Sequence, residues 1–268
     1  MDVIELFKYM ISCKSETPDD GGLLDFIEKY LSDFTAVRVD VEDVKNLFIS
    51  KKFGDGEHLC FAGHVDVVPA GTGWESNPYE AVEKDGFIYG RGTQDMKSGV
   101  AAFVQAAKEV NSFNGTLSLL LTSDEEGEGI NGTVKALEYL KKHDLLPDAV
   151  VVAEPTCEDR FGDAIKVGRR GSINGYITLK GKQGHAAYPE KAINPIHNIA
   201  QILGDMAGVD LDNGDEFFSP SKFVVTDIRS GMQVTNVTPS HLDMMFNVRN
   251  TTLTTQKEVT EFVAKNFE

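Results

Sequence analysis

Hydrophobic and polar residues alternate along this chain with two different periods. MDVIELFKYMIS puts Val3, Ile4, Phe7, Met10 and Ile11 on one helical face, broken by Asp2, Glu5 and Lys8. GLLDFIEKYLSDF repeats that spacing through Leu23, Leu24, Ile27, Tyr30 and Leu31, and the SETPDDGG between them is a loop. AVRVDVE, NLFIS and HLCFAG then read as short strands. SGVAAFVQAAKEV reads as a buried helix, TLSLLLTS as a buried strand, VKALEYLKKH as a surface helix and DAVVVAE as another buried strand. Alternation of this kind predicts an α/β sandwich.

Around residues 170 to 175 the order changes. SINGYITLKGK, IHNIAQILGDM, KFVVTDIRS, HLDMMFNVRN and TTQKEVTEFVAKNF predict strand, helix, strand, strand and helix, a smaller α+β domain over 172–268 after a first domain over 1–171. The last helix runs to Glu268 with no capping glycine, following proline or closing strand, so a truncated sequence is expected.

Composition narrows the function. The 268 residues are 41% apolar and 25% charged, those of an ordinary globular chain. With 42 acidic against 26 basic side chains, the formal charge of −16 repels phosphate backbones and acidic membrane surfaces, so neither nucleic acid nor membrane is expected as a partner. The amino-terminal pattern is not a signal-peptide core, and no apolar run is long enough to span a bilayer. Cys13, Cys60 and Cys157 are odd in number and far apart, which suits a reducing cytoplasm.

The chemistry lies where buried segments end. GHVD offers His64 and Asp66, GRGTQDMKSG offers Asp95, TSDEEGEG offers Asp124, Glu125 and Glu126, and VVAEPT offers Glu154. Strand ends of an open α/β sheet form its ligand crevice, so these groups should converge. Taken singly, each has a plainer reading: a structural histidine, a helix-capping aspartate, a solvated acidic loop and a strand end. Together, crowded carboxylates repel unless protons or cations separate them. An imidazole among carboxylates without thiolates suits zinc, manganese or cobalt, and the count of negative charges suits two divalent ions better than one. His64 and Asp66, two apart on a strand, should share a face, with Asp66 accepting the histidine's second N–H. Asp95, just ahead of a helix amino terminus, is placed to bridge two metals. Adjacent glutamates point differently, so one can bind metal while the other handles protons. Thr72, Gly73 and Trp74 read as a packed loop.

Taken in order, GHVDVVPAG, GRGTQDMKSG, TSDEEG, AEPT, RRGS, GHAAYP and NVTP resemble the motifs of the co-catalytic di-zinc family of aminoacylases and carboxypeptidases, over nearly the whole chain. The resemblance implies a zinc-peptidase-like three-layer catalytic domain with an inserted ferredoxin-like domain that forms a homodimer. It implies that His64 and Glu154 bind one metal, that Asp95 bridges, that Glu126 binds the other, and that Glu125 is the general base. Two zinc ions per subunit are expected, with cobalt or manganese as substitutes. The family's cis peptide after the bridging aspartate falls at Asp95–Met96. His185, in the GHAAYP turn, should reach the partner's active site and stabilise an oxyanion. RRGS and FNVR point to a member hydrolysing an N-succinyl amide rich in carboxylates, with Arg169 and Arg249 gripping the acids and Tyr188 and Asn236 completing the contacts. Arg170 is left outside the site.

One departure concerns the second metal. The family takes a histidine for it from a C-terminal segment with no counterpart here, and His58, His143, His197 and His241 lie outside the matching motifs. This chain is therefore expected to lack the C-terminal portion of its catalytic domain and the small domain's last strand, to bind the second metal poorly and to hydrolyse little. The competing readings are an acetylornithine deacetylase, dipeptidase or carboxypeptidase with the same metals, and a non-catalytic dimerisation or metal-binding module.

Overall fold

The computed structural model describes residues 1–267 and divides into two compact units, Met1–Ala164 and the residues from Ile165 onward. The first unit is built on a five-stranded mixed sheet. Its strands are β1 (Thr35–Arg38), β2 (Asn46–Lys52), β3 (His58–His64), β6 (Thr116–Thr122) and β7 (Ala149–Val152), in the spatial order β1-β2-β6-β3-β7. A separate hairpin pairs β4 (Val82–Lys84) with β5 (Phe87–Tyr89). β6, β3 and β7 run parallel, while β1 and β2 complete one side in antiparallel fashion.

Strand alternation sorts the side chains onto two faces. Leu47, Ile49, Leu117, Leu119 and Leu121 point to one face, where they pack on α1 (Val3–Ser12), α2 (Leu23–Tyr30) and α3 (Lys97–Glu109). Phe48, Cys60 and Leu120 point to the other, against Ala136 and Leu140 of α4 (Thr133–Lys142). Each fully buried aliphatic side chain contributes about 1.5–3 kcal/mol, so the double-sided core outweighs any single local preference. α1 begins with a capping box, Asp2 accepting from the Glu5 N–H while Glu5 accepts from that of Asp2. Its other end is closed from a distance: the buried Lys97 Nζ donates to the carbonyls of Met10 and Cys13, each at 2.9 Å.

The expectation of a buried DAVVVAE strand needs correction. β7 is an edge strand, and Val150, Val151 and Val152 are 52%, 45% and 54% exposed. Apolar content suggests burial, but among the described residues β7 pairs with β3 alone at the edge of the sheet. Thr72, Gly73 and Trp74 also differ from expectation, since they rim an open cavity of about 730 Å³ instead of packing inside. Trp74 there lies under the Arg91 guanidinium, 5.4 Å from the ring centre.

The second unit holds an antiparallel sheet in the order β10 (Phe223–Ser230), β12 (His241–Val248), β8 (Ile173–Lys180). α5 (Pro195–Met206) and α6 (Gln256–Asn266) cover one face through Ile199, Met206 and Val259, which meet Phe223, Leu242, Met244, Phe246 and Val248. Gly175 stands opposite Phe246, and a Cβ there would come within 2.1 Å of the ring, so only glycine lets the aromatic side chain lie flat on the strand. β9 (Gly184–His185) pairs with β11 (Val237–Thr238) in a separate short ladder.

Candidate metal centre

Parallel pairing of β3, β6 and β7 brings their carboxyl ends to one edge of the first sheet. His64 ends β3, the DEEG turn follows β6, and Glu154 follows β7 by two residues. Asp95 comes from the loop before α3, and its peptide bond to Met96 is cis. Two glycines permit the close approach of these elements. A Cβ on Gly99 would come 2.3 Å from that of Ala153, and one on Gly63 would meet the Met96 side chain at 2.6 Å.

His64 is 1% exposed and forms the centre of the group. Its Nε2 lies 3.0 Å from Asp95 Oδ1, 3.6 Å from Glu154 Oε1 and 3.8 Å from Glu125 Oε2. Two overlapping sets have ligand atoms all within 4.8 Å of one another: His64, Asp95 and Glu126, and His64, Glu125 and Glu154. The two DEEG glutamates are therefore not divided into an obvious ligand and an obvious base, because both reach the imidazole. Among the described residues neither set contains a second histidine. His58 is engaged elsewhere, its Nε2 being 2.7 Å from Ser118 Oγ.

Asp66 faces His64 with both its backbone carbonyl and its carboxylate. The atom nearest His64 Nδ1 is the Asp66 backbone carbonyl, at 2.9 Å, while the carboxylate stands at 3.5 Å. The fully buried carboxylate also accepts hydrogen bonds from Thr17 Oγ1 at 2.6 Å, from the Glu126 N–H at 3.1 Å and from the Glu125 N–H at 3.4 Å. Thr17 is absent from the motifs read in the sequence, and its contact spans 49 residues, which no local spacing discloses.

Charge crowding is visible in the acids and the imidazole. Burial first, then the Asp95 charge, pushes Glu154 up to about 7, and the same causes raise Glu126. Burial opposes charge on His64, yet its contacts with Asp66 and the Glu125 charge raise it to about 9. Asp66 also loses solvation, but hydrogen bonds from His64 and Thr17 hold it below the usual carboxylate range. An imidazole encircled by acids in this state matches the donor chemistry of a divalent-cation site. A bound cation would relieve the repulsion that these shifts express.

The remaining predicted residues belong to the second unit. Pairing of β9 with β11 sets Val237 opposite His185, and the Ala186 N–H donates to the Asn236 carbonyl at 2.9 Å. The Tyr188 N–H donates to the His185 carbonyl, and the two rings stand 6.0 Å apart. The turn carrying His185 and Tyr188 thus lies against Asn236 through the β9–β11 pairing. Gly171 and Asn250 exchange both backbone hydrogen bonds, continuing the β8–β12 register so that Arg249 falls opposite Ser172. Arg169 and Arg249 are both exposed.

The model of peptidase family M20/M25/M40 matches residues 60–266, and the chain belongs to that family. It is 77% identical to a succinyl-diaminopimelate desuccinylase of Sulfurimonas denitrificans, over all of this chain and 73% of that protein. A protein of the same name from a Nitratiruptor species is 68% identical over all of this chain and 74% of its own length. Among solved structures, an M20 family metallo-carboxypeptidase, Sso-CP2 of Sulfolobus solfataricus, shares the fold with a TM-score of 0.85 at 17% identity, covering 99% of this chain and 75% of that one. The YXEP protein of Bacillus subtilis, described as a dinuclear metal binding peptidase, aligns with a TM-score of 0.63 at 17% identity, over 99% and 67% of the two chains. No helix among the described residues is long and apolar enough to cross a membrane.

Proposed function

We propose that this chain is a metal-dependent amide hydrolase that cleaves N-succinyl-LL-2,6-diaminopimelate to succinate and LL-2,6-diaminopimelate, within cytoplasmic lysine and cell-wall precursor synthesis. The reaction is supported by the relatives' shared name at 68% and 77% identity. The observation that carries the chemistry is the meeting of Asp95, Glu125, Glu126 and Glu154 around one buried imidazole.

Two zinc ions are the proposed occupants. His64 and Glu154 would hold one and Glu126 the other, with Asp95 as a ligand available to both. Held there, divalent ions would supply Lewis-acid chemistry to the amide carbonyl and to water. Glu125 takes the proton from the attacking water and returns it to the leaving amine. His64 is kept in one orientation by the Asp66 carbonyl on Nδ1, which leaves Nε2 directed at the acids. Arg169 and Arg249, exposed and cationic, suit the substrate's carboxylates, with Tyr188 and Asn236 adding polar contacts. The second unit is assigned to homodimerisation, with His185 stabilising the oxyanion in the partner's site.

Turnover of N-succinyl-LL-2,6-diaminopimelate, N-acetylornithine and simple dipeptides, measured alongside zinc content, tests the reading. The expected result is a kcat/KM for the succinyl substrate at least about 100-fold above the others, as for a site that pairs buried or charged substrate groups. Faster turnover of acetylornithine or dipeptides moves the chain to another branch of the family. Full zinc loading without turnover of any substrate leaves only a metal-binding module.

A further inference from the structure

A segment with no assigned part in the chemistry is stitched across the strand ends that carry it. Ser15 Oγ donates to the Val65 carbonyl at 2.6 Å, the Val67 N–H donates to the Ser15 carbonyl at 2.9 Å, and the Thr17 N–H donates to the Val67 carbonyl at 3.2 Å. On the other side, Ser123 Oγ donates to the Pro18 carbonyl at 2.7 Å. Residues 15–18 therefore join the end of β3 to the end of β6, and the DEEG turn starts directly after Ser123.

Thr17 occupies the middle of this seam. Its hydroxyl donates to Asp66 Oδ2 at 2.6 Å, and the same oxygen accepts the Glu126 N–H while Oδ1 accepts that of Glu125. Asp66 is fully buried, so water cannot replace a missing donor at no cost. A carboxylate with donors on both oxygens has one acceptable rotation, and that rotation decides where the turn's backbone sits. Thr17 touches the turn a second time, since a Cβ on Gly127 would come 2.7 Å from its methyl group.

We infer that Thr17 is a positioning residue: by donating to Asp66 it fixes the carboxylate that holds the N–H groups of Glu125 and Glu126, and so aims both glutamates. The inference rests on the proposed role of Glu125, but the clamp can be read without any turnover.

Thr17→Val keeps the shape and removes the donor, whereas Thr17→Ser keeps the donor and removes the methyl group. Three quantities decide the matter in the same samples: steady-state kinetics, bound zinc, and hydrogen exchange of the Glu125 and Glu126 amides. For Thr17→Val, kcat should fall roughly 10- to 100-fold, the effect of losing a hydrogen bond to a charged group, with KM within about twofold and a smaller loss of zinc than Glu126→Gln causes. The two amides should exchange about tenfold faster in that variant, and Thr17→Ser should restore both readouts. Unchanged kcat and exchange in Thr17→Val overturn the inference. Equal damage in Thr17→Ser also overturns it, because the role would then be packing. If the wild type lacks amidase activity, the hydrolytic reading fails while amide exchange still decides the clamp. Thr17→Ala supplies the same readouts should the valine variant not fold.

Discussion

The acid cluster of the first unit and the His185 turn of the second are built on opposite principles. In the first, the functional groups stand on buried supports: His64 is braced by the Asp66 carbonyl, Asp66 by three donors, and the approach to α3 by glycines that admit no side chain. In the second, the backbone ladders are regular but the side chains face water, Tyr188 being 55% exposed with the Lys191 ammonium 4.7 Å above its ring. Groups that act on developing charge must be aimed before the substrate arrives. Groups that only grip a charged substrate, the part proposed for Tyr188 and Arg249 but not for His185, can be ordered on binding, at a cost in affinity rather than in rate.

The sharpest way to break this contrast is within the DEEG turn. Glu125→Gln removes a proton acceptor and keeps the shape, so kcat should fall by about 100- to 10,000-fold while zinc content stays at the wild-type level. Glu126→Gln should instead lower zinc content along with activity. If both variants lose metal alike, the two overlapping ligand sets, and not a ligand and a base, describe the turn.

A smaller effect tests whether the supports matter as supports. Lys97 lies wholly inside, and burial pushes its ammonium down to about 8. Its hydrogen bonds to Met10 and Cys13 satisfy carbonyls at the end of α1, which has no basic residue in its last turn. Lys97→Met takes the ammonium donor from the Cys13 carbonyl and leaves the Met10 carbonyl with the Cys13 N–H at 3.3 Å, but it also removes a desolvated charge. The net loss of stability should be about 1–3 kcal/mol, read as a lower urea midpoint at unchanged slope. An unaltered midpoint would show that the capping contributes nothing.

The sequence carries the period of the sheet plainly. Leu47 and Ile49 against Phe48, and Leu119 and Leu121 against Leu120, alternate as a strand covered on both sides must. The acids at the strand ends are legible for the same reason, since a carboxylate closing an apolar run is conspicuous. Partners across long separations are not legible. Thr17 and Asp66 lie 49 residues apart, Lys97 and Met10 lie 87 apart, and neither pair has a spacing that marks it. The exposure of β7 was also hidden, because a run of valines looks the same at an edge as at the centre of a sheet. The spacing of His64 and Asp66 discloses that the two meet, but not that the Asp66 backbone carbonyl lies nearer to Nδ1 than its carboxylate does.

The exposed arginines give the smallest expected effect and the cleanest view of the second region. If Arg249 only grips a substrate carboxylate, Arg249→Ala should raise KM about tenfold and leave kcat within about twofold, since an interaction present equally in the ground and transition states alters binding alone. Raising the salt concentration should weaken the wild type toward the variant, because an ion pair formed at an exposed site is screened within about a Debye length of 8–10 Å. Arg249→Lys should recover only part of the affinity, as a point charge cannot reproduce the planar fork that meets a carboxylate through two parallel hydrogen bonds. A loss confined to kcat would place Arg249 among the aimed groups and erase the distinction between the two regions. A salt-independent loss would mean that its side chain is desolvated in the complex, with a correspondingly larger share of the binding energy than an exposed grip supplies.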